Sequence, residues 1–150
     1  MPLRYVLFRY ALVSAVTIVA VLVAGLLLET FFGLSIGAGV SAVSAMVPAL
    51  DAGQSHARGL KRMPDKGYMW KMSALFVPIN ALVGAIVVLP ILMVSDGVAD
   101  VLSALSYMPL LGWAAIMAVV FVIYWLSGRF FFGFGAKNEL KQQEKLAAKK

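Results

Sequence analysis

The sequence has no cysteine, a single histidine and few charges, and each shortage removes a class of function. Without cysteine there is no disulfide framework, no thiolate metal site and no cysteine nucleophile. His56 alone cannot assemble a multi-histidine metal centre. Charged residues make up only 13% of the 150, whereas soluble domains carry about a quarter. What is abundant is apolar: 62% of the chain, with four stretches that lack Asp, Glu, Lys and Arg altogether. Such segregation is what a bilayer selects for, so the fold class expected is an all-α membrane protein.

A helix needs about 20 apolar residues to cross the hydrocarbon core. Four candidate spans follow, at about 10–28, 34–50, 72–94 and 108–126. The first could be taken for a signal peptide, since Arg4 and Arg9 precede it. It is long for that, and Leu26, Leu27 and Leu28 stand where small residues should mark a cleavage site. The second is short and rich in small residues; the third carries Pro78, Asn80, Gly84 and Pro90. None alternates with the period of a barrel strand, and lipid cannot satisfy an open backbone, so the spans are helices. Residues 1–132 then form one four-helix domain, and 133–150 a charged cytoplasmic tail, either a solvated helix or disordered.

Orientation follows from the basic residues. Arg4 and Arg9 precede span one; Arg58, Lys61, Arg62, Lys66 and Lys71 lie between spans two and three; the other six follow span four. The remaining two connections carry only acidic charge, Glu29 in one and Asp96 with Asp100 in the other. An antiparallel up-down bundle with both termini inside accounts for all thirteen. Tyr68, Trp70, Tyr124 and Trp125 mark the inner interface, as amphipathic aromatics do. On the outer side, Val98, Val101, Leu102 and Leu105 share one face opposite Asp100, which reads as a short interfacial helix over 95–107.

The basic loop from Gln54 to Lys71 reads as an anchor on anionic headgroups. Its aromatics are not interleaved for base stacking, so nucleic acid is not an expected partner. Small residues recur every fourth position at Gly33, Gly37, Ser41, Ala45, Ala49 and Gly53. That row forms a helix face along which backbones approach closely, against another span of this chain or another chain. Asn80 is the most polar side chain well inside a span, suited to an interhelical hydrogen bond. Asp51 sits at the end of span two, in reach of Arg9, Lys71 or Arg129. His56 lies five residues on, a poor helical spacing for a pair, and reads as solvated.

No ionisable residue lies in the middle of a span, and proton relays and ion sites ordinarily need one. No phosphate loop, zinc-protease helix or serine elbow is present either. Neither an enzyme nor a cofactor is expected. Ala52-Gly53-Gln54, Arg58, Lys61-Arg62, Pro64 and Trp70, with the length and layout, resemble the ABZJ-type family of small four-span proteobacterial inner-membrane proteins. The resemblance covers about Leu3 to Leu126, and the charged tail departs from it. It implies a bacterial inner membrane and a compact bundle, with no catalytic or binding residue. The expected role is that of a structural or accessory protein working with other membrane proteins or with itself. An oligomeric small-molecule transporter or channel is the second reading, and a membrane immunity protein against a toxin the third.

Overall fold

The computed structural model describes residues 3–33, 39–94, 99, 103, 106, 107 and 109–149. They form four long helices: α1 Leu3–Phe32, α2 Gly39–Leu60, α3 Lys66–Val94 and α4 Leu110–Ala147. Three of them, α1, α3 and α4, are long and apolar enough to cross a membrane. At about 1.5 Å per residue, the 30 residues of α1 reach about 45 Å, well beyond an apolar core of about 30 Å. The second helix does not reach that standard over its described residues, because its latter half carries Asp51, Gln54, Ser55, His56 and Arg58.

Two boundaries differ from the sequence reading. The helix expected to end near Leu50 continues to Leu60, so the basic loop shrinks to Lys61–Asp65. Ala49, Ala52, Gly53 and Ala57 maintain helical spacing through that stretch and are all buried. Arg58 therefore stands on α2, and Lys66 and Lys71 on α3. Likewise α4 runs unbroken past residue 132 to Ala147, so the segment from 133 is helical, but with Gly135, Ala136 and Glu139 buried it is not solvated all round. The interfacial helix expected at 95–107 lies outside the described residues, apart from four isolated positions. So do Gly37 and the side chain of Ser41.

Two left-handed residues close helices. Gly33, with φ +63°, ends α1 and donates its N–H to the carbonyl of Glu29 at 3.0 Å. It is exposed, a helix cap and not part of the packing face expected of it. Lys61 does the same for α2 at φ 52°, donating to Ala57 at 2.8 Å.

Among the described residues, burial is confined to one end of the molecule. In α1 the buried residues are Val6, Tyr10, Ser14 and Ile18, one row at four-residue spacing. In α3 they stop at Asn80, and in α4 they start at Gly128. Tyr10 stacks on Phe76 with centroids 4.0 Å apart, and Phe132 meets Phe76 edge-on at 5.7 Å. Val6, Ala49, Ala52 and Met72 complete this core. It gathers the start of α1, the second half of α2, the first half of α3 and the second half of α4. The basic residues on these segments share that end, called the basic end below. Beyond it the apolar parts of α1, α3 and α4 leave space between them.

Candidate functional site

At the basic end, α2 and α4 touch backbone to backbone. A Cβ on Gly53 would collide with the carbonyl oxygen of Phe132, and one on Gly135 with the carbonyl oxygen of Leu50. Each glycine thus admits the other helix. Of the expected packing row, Ala45, Ala49 and Gly53 are buried. The complementary small residues of α4, Gly135 and Ala136, are positions that sequence reasoning missed, because they lie beyond the end assigned to span four.

Two ion pairs flank this contact. Arg9 donates from Nε and Nη2 to the two carboxylate oxygens of Asp51, at 2.7 and 2.8 Å. Asp51 is therefore held by α1, not by Lys71 or Arg129. Arg58 donates in the same forked way to Glu139, at 3.1 and 2.9 Å, and Gln143 adds a third bond at 3.1 Å. The Arg58 bonds, then that of Gln143, hold the Glu139 carboxyl below the usual carboxylate range, while Glu139 pushes Arg58 up. Arg129 lies over the ring of Trp70 at 4.0 Å, a cation–π contact. The Trp70 carbonyl in turn accepts from Trp125 at 3.4 Å. Lys61, Arg62, Lys66 and Lys71 are exposed.

His56 is not solvated. It is 5% exposed, 4.8 Å from the ring of Tyr68 and 5.8 Å from that of Phe132, and its Nδ1 has no hydrogen-bond partner. Burial, reinforced by nearby positive charge including Arg62, holds its pKa down. The spacing does keep His56 from Asp51, which is held by Arg9, but it carried no information on the rings of other helices that bury the imidazole. Ser55 Oγ is likewise buried without a partner, and around these two groups the closed end consists of ion pairs and close packing, an arrangement that fixes helices.

Above the core the helices part around a cleft of about 990 Å³. Ile18 and Leu22 of α1, Asn80 and Gly84 of α3, and Phe121 and Tyr124 of α4 line it, with a contribution from Ser44 of α2. None of the described residues lining it is charged. Asn80 stands fourteen residues from each end of α3, is 8% exposed, and its Oδ1 accepts no hydrogen bond. Thr17 and Ser73 on the apolar helices bond locally, Thr17 to the carbonyl of Val13 at 2.7 Å and Ser73 to that of Trp70 at 3.0 Å, whereas Ser14 Oγ on α1 also has no partner. Asn80 Oδ1 is an acceptor and cannot pair with a backbone carbonyl in that way, and Asn80 lines the cleft. A Cβ on Gly84, one turn on, would meet nothing within 4 Å.

No protein-family model, no curated protein and no solved structure matches this chain, so the site is read from its own residues.

Proposed function

We propose that this chain is a non-enzymatic accessory protein of a bacterial inner membrane, with both termini cytoplasmic, that docks sideways onto another membrane protein. The one-sided distribution of Lys and Arg supports the orientation. The ion pairs and the glycine contact fix the basic end, and the apolar helices rise from it as a rigid base.

The observation that carries docking is the outer face of α4. From Leu110 to Ser127 no residue of that helix is buried. Ile116, Val119, Ile123, Leu126 and Phe130 are exposed by 41 to 66%, lie outside the cleft, and follow one another at intervals of three, four, three and four residues. That spacing makes a continuous seam for a second helix crossing at a shallow angle, the usual geometry of membrane bundles. The occupant is an apolar transmembrane helix of another protein.

Photo-crosslinking residues placed in living cells at 116, 119, 123 and 126 test this, with 12 and 27 on α1 as controls. One discrete heterologous protein adduct recurring from the four α4 positions, and absent from the controls, is expected. Adducts to lipid alone would overturn the reading. A dimer-sized adduct would replace it with self-association, as the transporter alternative requires.

A further inference from the structure

We infer that the cleft above Asn80 is a binding site for a membrane-borne amphiphile that donates a hydrogen bond, of the class of long-chain alcohols and amines, through a hydroxyl or N–H group seated against Asn80. This goes beyond the docking reading and does not depend on it: the outer seam of α4 and the cleft use different residues.

Three observations converge. The cleft, at about 990 Å³, is at the upper end of the range of about 300–1,000 Å³ typical of small-molecule sites. Its lining is mostly apolar with a few polar groups, Asn80, Ser44 and Tyr124, the pattern by which such sites orient a ligand. Of these, Asn80 Oδ1 is buried without a donor at the middle of an apolar helix. Buried acceptors in proteins nearly always have a partner, and one without calls for an explanation.

The same inventory selects the ligand. The unpaired Asn80 Oδ1 asks for a donor, so a hydroxyl or an amine fits and a hydrocarbon leaves it unpaired. No Lys or Arg lines the cleft to neutralise a carboxylate or phosphate, so an anionic headgroup is disfavoured. The apolar walls from Ile18 to Phe121 accept an aliphatic chain in place of the bilayer's own.

The full-length protein in nanodiscs, labelled with a hexadecanol carrying a mid-chain diazirine, tests the assignment. Label is expected within residues 74–88 and 117–124, with plain hexadecanol displacing it at least tenfold better than hexadecane or methyl palmitate. Asn80→Leu should remove that preference. Gly84→Leu should cut labelling of both segments at least tenfold while leaving the exposed Met93 region unchanged. Because the Gly84 site is open and leucine is the better helix former, this second variant keeps the fold. Equal displacement by hexadecane or by methyl palmitate, an unchanged preference in Asn80→Leu, or label spread evenly over the lipid-facing surface would each overturn the inference. All readouts use purified protein, so a failure of partner docking leaves them unaffected.

Discussion

Gly53→Ala and Gly84→Ala make the same chemical change in two helices and should shift stability in opposite directions. Either substitution gains the helix preference of alanine over glycine, about 1 kcal/mol. At Gly84 nothing opposes that gain, since the new methyl enters open space, and stability should rise by up to about 1 kcal/mol. At Gly53 the methyl collides with the backbone carbonyl of Phe132 and crowds the amide of Ala136. Neither obstacle can rotate aside as a side chain would. Relief requires α2 and α4 to separate, which loosens the Leu50–Gly135 approach and stretches the Arg58–Glu139 pair. Overpacking in a well-packed core costs about 1–3 kcal/mol, and here rigid backbone puts the case at the upper end. After the helix gain, a net loss of about 2 kcal/mol is expected. Gly135→Ala should lose a similar amount, and the double variant less than the sum, because one separation accommodates both methyls. Unfolding by SDS titration from a mild detergent, followed by the fluorescence of Trp70 and Trp125, measures all four. A Gly53→Ala protein as stable as the parent would refute the close approach of α2 and α4.

The ion pairs and the buried histidine give two further expectations. Because burial lowers the pKa of His56 in the fold, the unfolded chain binds its proton first. Stability should therefore be flat from pH 8 to 7 and fall as pH drops below about 6.5; His56→Phe should remove that step, and its persistence would assign it elsewhere. The depressed Glu139 carboxyl contributes stability that is present at neutral pH and lost as pH falls below the ordinary carboxylate value, a second step that Glu139→Gln should remove. A double-mutant cycle with Arg9→Met and Asp51→Leu should give a coupling of about 1–2 kcal/mol for this part-buried forked pair; a coupling near zero would mean that the pair is not formed in the membrane.

Three of the helices were legible in the sequence because uninterrupted apolar length is itself the signal. The second half of α2 was not, and the reason is local. Gln54, Ser55 and His56 break the hydropathy that marks a span, yet Ala52, Gly53 and Ala57 beside them continue the helical row of small residues that packs on α4. A hydropathy window averages over both faces and records only the polar one. The same averaging hid Gly135, Ala136 and Glu139, whose neighbours Lys137 and Lys141 made the segment look like a solvated tail. Asn80 stood out by composition alone. The cleft it lines could not be read, because it arises from where the helices stop touching: small residues pair at the basic end, and the bulky stretch from Leu110 to Ser127 has none matched to a neighbour. The partner of Asp51 was open among three cations, since interhelical register decides it and a single sequence does not specify register.

The account rests most heavily on α2 crossing the membrane, as with α1, α3 and α4 as spans a fourth crossing is what returns the C-terminus to the side of the N-terminus. The natural chain has no cysteine, so each introduced cysteine reports alone. Glu29→Cys, Met63→Cys and Lys149→Cys should be labelled by an impermeant maleimide in right-side-out and inside-out vesicles. The account predicts that Glu29→Cys reacts only from outside, and Met63→Cys and Lys149→Cys only from the cytoplasmic face. Reaction of Met63→Cys from the same side as Glu29→Cys would show that α2 does not cross, and would contradict it.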